Sequence, residues 1–393
     1  MRHLRAMASV ALLPVLLGGD PPSAGVIAKA AGLSGWSATW SAPQNTSQSE
    51  GFGNETIRMV VNSSLGGDQV RLHLNNVYST GTAVFGHVTI AQQLTGATAA
   101  DTPVTVTFGG SPSVSLGPGA AAWSDPAAFV VPAHTRLLVS LQLPAQSSGT
   151  APLHSLADDT EYNYWGAADQ SADITFPTSN TFGYSMYVDR VDVSTAAAST
   201  LVAVGDSITD GANLQADSDT RWPDYLAARI APLGYAVANE GINGDEVTAS
   251  NPGLPSIVSR FGDVLALPGA RTIIEQGGIN DLRLGVTAAT LESAQASLVA
   301  QAHAAGLRIL LTTITPCGGA SSCGTGFETA RQAYNTWVRG GTSGADGYAD
   351  FATVLGGNPT ATAIQTGYDS GDHLHPNAAG GAVLAGAVNT ALL

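Results

Sequence analysis

At 393 residues the chain is long enough for two domains, and with 44% hydrophobic residues it can bury substantial cores. Only 11% of residues are charged, against about 25% in ordinary globular proteins, which argues against a disordered or coiled-coil protein. The formal net charge is −15 and Lys29 is the only lysine, so the surface should repel phosphate backbones and anionic lipid; neither nucleic-acid binding nor electrostatic membrane docking is expected.

Residues 1–30 read as a signal peptide. Arg2 and Arg5 supply a positive start, residues 6–17 an apolar stretch too short to span a bilayer, and the small residues Ala24 and Ala30 mark places for cleavage. A secreted, extracellular protein is therefore expected. No later stretch has the length and hydrophobicity for stable membrane insertion.

From residue 34 to 193 the pattern has a period of two. Ile57, Met59 and Val61 alternate with polar or smaller partners, as do Val70, Leu72 and Leu74. The same holds for Val104, Val106 and Phe108, for Leu137, Val139, Leu141 and Leu143, and for Tyr184, Met186 and Val188. Alternation of this kind marks half-buried strands. Gly66-Gly67, Gly109-Gly110, Gly117-Pro118-Gly119 and Pro132 punctuate the runs. Many short strands with such turns predict an all-β sandwich, jelly-roll-like in character. Within it, Asp158, Asp159 and Glu161 read as a solvated acidic loop rather than a calcium site, and Asp217 and Asp219 farther on as solvated too. Trp36, Trp40, Tyr162, Tyr164 and Trp165 read first as packing aromatics and second as a sugar-stacking surface. His73, His87, His134 and His154 are scattered over strands and loops and are assigned no chemistry.

Residues 194–200 are small and featureless and form a linker. The texture then changes. A short apolar strand at 201–204 is followed by helical stretches alternating with further apolar runs at 271–275 and 308–314, which predicts an α/β domain over 201–393 with a parallel sheet flanked by helices. Phe327, Ala330, Tyr334, Trp337 and Val338 have helical spacing and read as core. Chemistry in such sheets collects beyond the C-terminal ends of the strands. Cys317 and Cys323, separated by a Gly- and Ser-rich run, suit a small disulfide loop in an exported protein. Two thiolates without further soft ligands do not make a metal site, and no metal is expected.

The α/β half carries short blocks rich in chemistry. Gly205-Asp206-Ser207-Ile208 follows the first strand, where a strand-to-helix turn presents a hydroxyl beside free backbone N–H groups. Gly241-Ile242-Asn243-Gly244-Asp245, Gly278-Ile279-Asn280-Asp281 and Asp372-His373-Leu374-His375-Pro376 follow in order. Any one would be an ordinary turn; the ordered set resembles the SGNH, or GDSL-type, hydrolase superfamily of esterases and lipases over roughly the second half of the chain. Ile208 departs from the leucine of the family's GDSL block but keeps the position apolar.

The resemblance implies an SGNH-type fold and a role for each block. Ser207 would be the nucleophile and its N–H an oxyanion donor, joined by the N–H of Gly244 and the side-chain amide of Asn280. Gly278 would make room for Asn280, and Asp281 would be structural. His375 would be the general base and Asp372 its orienting acid. His373 with Asp369 is the rival pair, disfavoured because Pro376-Asn377 trails His375. Pro376 would open a final helix. The implied activity is hydrolysis of carboxylic esters through an acyl-enzyme, without cofactor. Export, an acidic surface and the added β-domain favour short acyl groups on an acetylated polysaccharide. A lipolytic esterase or lysophospholipase acting on longer chains is the alternative enzyme, and a sugar-binding protein with a decayed hydrolase domain is the non-catalytic reading; labelling of Ser207 by a fluorophosphonate separates that last reading from the first two.

Overall fold

The computed structural model describes residues 35–48, 52–144, 149–195, 199–249 and 255–393. The expected signal peptide lies outside the described residues, as does the middle of the expected linker.

Eight of the sixteen strands described in the first half form its framework: β1 (Trp36–Ser41), β2 (Glu55–Ser63), β3 (Gln69–Asn75), β4 (His87–Thr95), β5 (Val104–Val106), β6 (Ala121–Trp123), β7 (Thr135–Leu143) and β8 (Val188–Ser194). Strands β1-β8-β3-β6 form one antiparallel sheet. Strands β2-β7-β4, with β5 on β4, form most of a seven-stranded second sheet that Glu161–Trp165 and Asn180–Phe182 extend past β2. The period-two residues face inward from both layers. Ile57, Met59, Val61, Leu137, Val139 and Leu141 of one sheet meet Val70, Leu72, Leu74, Val191 and Val193 of the other in a single core. The Tyr184–Met186–Val188 alternation is not one strand. Tyr187 takes a left-handed φ of 61°, which breaks the run into Ser185–Met186 and β8.

The second half is a five-stranded parallel sheet in the order β10-β9-β11-β12-β13, formed by β9 (Ser199–Gly205), β10 (Tyr235–Gly241), β11 (Ala270–Gln276), β12 (Arg308–Thr312) and β13 (Gly347–Ala349). Its helices are α1 (Ser207–Asp210), α2 (Trp222–Ile230), α3 (Ile257–Leu265), α4 (Ile279–Arg283), α5 (Ala288–Ala304), α6 (Thr325–Arg339), α7 (Phe351–Gly356) and α8 (Ala378–Ala387). Helices α3, α5 and α6 pack together, and α2, α7 and α8 form a second group in which Trp222 and Phe351 meet edge to face. Phe327, Tyr334 and Val338 of α6 are buried, as their spacing predicts. Pro376 does not open α8; Asn377 is its N-cap, and its side chain accepts the N–H of Gly380 at 3.0 Å. None of the helices among the described residues is long and apolar enough to cross a membrane.

The two halves share a polar seam. Edge strand β10 is covered by the β-domain: Val237 donates its N–H to Ser64 Oγ at 2.9 Å, and Ser41 Oγ donates to the carbonyl of Asn239 at 2.9 Å. Arg136 of β7 reaches Asp219 at 2.8 Å, Asp159 at 3.2 Å and Asp217 at 3.3 Å, while Arg221 lies between Asp224 at 2.8 Å and Asp158 at 3.4 Å. The expected solvated acidic loop is thus corrected. Asp158, Asp159 and Glu161 are buried, and Asp217 and Asp219 are half-exposed partners of Arg136. An acidic run reads as solvated when the arginines that draw it inward lie far away in sequence. Burial pushes the carboxyls of Asp158 and Asp159 up to about 7 and that of Glu161 well above its usual range.

Candidate active site

Only Asp206 separates Ser207, the first residue of α1, from the C-terminal end of β9, the strand between β10 and β11 in the sheet. Asp206 caps the helix, its Oδ1 accepting the N–H of Ile208 at 2.9 Å and its Oδ2 the amide of Gln276 at 3.2 Å. Burial raises its carboxyl to about 7. As the first residue of the helix, Ser207 has no intrahelical acceptor for its N–H, and the residue is only 5% exposed.

The C-terminal block returns to this hydroxyl. His375 Nε2 lies 2.8 Å from Ser207 Oγ, and His375 Nδ1 lies 2.6 Å from Asp372 Oδ2. The other oxygen, Asp372 Oδ1, accepts the backbone N–H groups of Leu374 and His375, each at 2.9 Å. Partial burial opposes ionisation of Asp372, but those N–H groups and the imidazole prevail and hold its carboxyl well below the usual range. With Asp372 ionised, Nδ1 must carry the proton, which leaves Nε2 as the acceptor facing the serine. The rival pair also forms, His373 Nδ1 to Asp369 Oδ2 at 2.7 Å, but the His373 ring is exposed and lies against Gly319, whereas the Ser207 hydroxyl is bonded to His375.

The middle blocks are joined to each other at the turn bearing Gly244. Gly244 sits in a turn with φ 83°, a conformation that favours glycine. Its N–H has no partner among the described residues. Asn280, buried on α4, donates Nδ2 to the carbonyl of Asp245 at 2.8 Å and accepts Arg283 Nη1 on its Oδ1 at 3.2 Å. Those two bonds fix which end of the amide is nitrogen, and one amide hydrogen has no partner among the described residues. Asp281 faces the loop that follows Gly244. Its carboxylate accepts the N–H groups of Val247 and Thr248, each at 2.8 Å, and so pins the loop that carries Gly244. Gly278 serves another purpose than the one expected: it has φ 103°, and a Cβ there would lie 2.6 Å from Leu291, so the glycine admits α5.

Cys317 and Cys323 are joined in a disulfide. The small loop they close touches two segments that carry candidate site residues. Gly319 packs on the His373 ring, and Ser322 Oγ accepts Arg283 Nε at 2.6 Å, so the loop braces both the histidine segment and the Asn280 helix.

Several residues beside the site were not singled out in the sequence. Asn213, with φ 67°, donates to Asp372 Oδ2 at 2.8 Å; its place three residues beyond Asp210 in the stretch that follows the serine block was the available signal. Arg283 and Asp245 lie within or beside blocks already marked. Asp245, paired with Arg260 at 2.9 Å, has its carboxyl pushed by burial up to about 7.

Residues 203–383 match the GDSL-like Lipase/Acylhydrolase family. Esterase TesA of Pseudomonas aeruginosa is 36% identical over 121 residues, 30% of this chain and 56% of that relative, so the chain spans about half of the curated relative it matches. Among solved structures, TesA aligns at 27% identity and TM-score 0.39 over 49% of this chain and 99% of that one. Est24, a carbohydrate acetylesterase from Sinorhizobium meliloti, aligns at 16% identity and TM-score 0.39 over 48% of this chain and 94% of that one. By the family match and the order of its blocks, residues 203–383 of this chain are similar to the GDSL-like lipases and acylhydrolases.

Proposed function

We propose that the chain is a secreted serine ester hydrolase that removes short acyl groups, acetyl foremost, from carbohydrate. The observation that carries the reaction class is the relay from Asp372 through His375 to Ser207, with bonds of 2.6 and 2.8 Å. His375 takes the proton of Ser207 as Oγ attacks the ester carbonyl. The tetrahedral oxyanion is held by the N–H groups of Ser207 and Gly244 and the remaining amide hydrogen of Asn280. His375 then protonates the departing alcohol, and water repeats the cycle on the acyl-enzyme.

The polar rim supports a hydroxylated leaving group: Asn213, Ser370, Arg283 and Ser322 surround the relay or its supports. The disulfide supports an oxidising destination. The β-domain order, β1-β8-β3-β6 against β2-β7-β4-β5, is that of two interleaved Greek keys, and we read residues 34–193 as a jelly roll preceding the hydrolase domain. A longer-chain esterase is favoured by one feature, Leu284, 67% exposed at the end of the Asn280 helix.

Replacing Ser207 with Ala should abolish turnover of p-nitrophenyl acetate and fluorophosphonate labelling while the fold persists; undiminished turnover rejects the acyl-enzyme. A series of p-nitrophenyl esters should peak at acetyl. A peak at long chains selects the lipolytic reading instead. Acetate release from a panel of acetylated glycans then identifies the leaving group.

A further inference from the structure

His154 was assigned no chemistry in the sequence, yet it occupies a buried junction between the halves of the molecule. It ends the short strand Ala151–His154 of the β-domain and is only 3% exposed. Its Nδ1 lies 2.8 Å from the carbonyl of Pro43, and its Nε2 lies 2.9 Å from Asp210 Oδ1. Asp210, also buried, is the last residue of the helix that Ser207 begins. The second oxygen of Asp210 accepts the backbone N–H of Asn243 at 2.6 Å. Asn243 precedes Gly244, the glycine whose N–H has no partner among the described residues.

The chain of bonds leaves little choice of protonation. A carbonyl only accepts, so Nδ1 carries a proton. The contact between Nε2 and Oδ1 needs a second proton between them. Burial by itself would drive the imidazole toward neutrality, but the Asp210 carboxylate outweighs it and holds the His154 pKa above its ordinary value. The ring is thus clamped at both nitrogens, and its orientation fixes Asp210. Backbone packing reinforces the junction, since a Cβ on Gly241 would lie 2.4 Å from the Asp210 nitrogen. The turn bearing Gly244 therefore rests on Asp210 at one end and, through Asp245 and Asn280, on α4 at the other.

We propose that His154 and Asp210 are positioning residues through which the N-terminal β-domain sets the place of the Asn243–Gly244 turn, and with it the backbone oxyanion donor. The inference rests on the acyl-transfer reading above. Neither side chain touches substrate; both act by placing an N–H group, and misplacement of such a group by about 1 Å costs up to about 100-fold in rate.

The test uses the full chain, with kcat expressed per active site titrated by a fluorophosphonate, so that a loss of folded protein does not count as a loss of catalysis. His154→Ala should lower kcat per titrated site by about 10- to 100-fold, with KM for p-nitrophenyl acetate within about twofold of wild type. Asp210→Ala should do the same from the hydrolase side and stands in if the first variant does not accumulate as folded protein. Asp210→Asn should recover at least about fivefold over Asp210→Ala, because an asparagine oxygen can still accept from Asn243 while its amide donates to a neutral His154. A merely structural contact would lower the melting temperature and leave kcat per titrated site unchanged; that result in either alanine variant overturns the proposal. Failure of the underlying reading is separable, since it would show as turnover surviving Ser207→Ala.

Discussion

Replacing Asn280 with Ala tests the oxyanion assignment where the geometry is most specific. The side chain is buried, and its two observed bonds, to the Asp245 carbonyl at 2.8 Å and from Arg283 at 3.2 Å, leave a single hydrogen without a partner among the described residues. If that hydrogen meets the developing oxyanion, its loss costs about 2.7–4 kcal/mol in the transition state, or about 100- to 1000-fold in kcat. The ground-state ester carries no full charge on that oxygen, so KM should move little. A separate cost falls on stability: the Asp245 carbonyl loses its donor, a penalty of about 1–3 kcal/mol if no water replaces it. Asn280→Asp discriminates further. It keeps the size of the side chain but sets a carboxylate against the oxyanion, and kcat should fall below that of the alanine variant. The assay is steady-state hydrolysis of p-nitrophenyl acetate alongside thermal unfolding. An alanine variant within about threefold of wild-type kcat would refute the reasoning, even if its melting temperature dropped.

Replacing Asp372 with Ala should leave Nδ1 of His375 without its fixed acceptor and lower kcat/KM by about 10³- to 10⁴-fold, measured on the same ester, with binding little changed; a loss under tenfold would show that another group orients the ring. Replacing Cys317 and Cys323 together with Ser should lower the melting temperature and reduce kcat severalfold, because the loop they close braces both Arg283 and His373; unchanged kinetics would remove the loop from the site. Stability should fall as pH rises from about 5 to 8. Burial has raised Asp158, Asp159, Asp206 and Asp245 to about 7 and Glu275 to about 8, so over this window the folded state holds protons that the unfolded chain has released, and raising the pH removes that advantage. Calorimetric melting temperatures at pH 5.5, 6.5 and 8 check the sign; a rise with pH would contradict it.

The parts of this molecule that local pattern encodes were legible in its sequence. Inward residues of β2, β3 and β7 are set by alternation, and the α6 core by helical spacing, because each depends on neighbours a few positions away. The blocks around Ser207, Gly244, Asn280 and His375 were legible because each needs particular residue types in a tight turn. What stayed hidden depends on contacts between separate elements of the chain. His154 meets Asp210, and Asp159 meets Arg136 across two elements, so a scattered histidine and an acidic run looked inert. Tyr187 escaped for a local reason: its left-handed backbone interrupts an alternation that tyrosine does nothing to announce. The purpose of Gly278 was misjudged because the side chain it admits, Leu291, lies on the next helix.

The serines over strand β10 bear on how the halves must be made and kept. The part of the chain from residue 199 onward, if released alone, would offer the bare ladder of Val237 and Asn239 to any passing strand, and edges of that kind recruit copies of themselves. The first half, by covering this edge, would guard it against self-association. Translation delivers it first, and N-terminal domains fold first as they emerge, so the guard is in place before the vulnerable ladder exists.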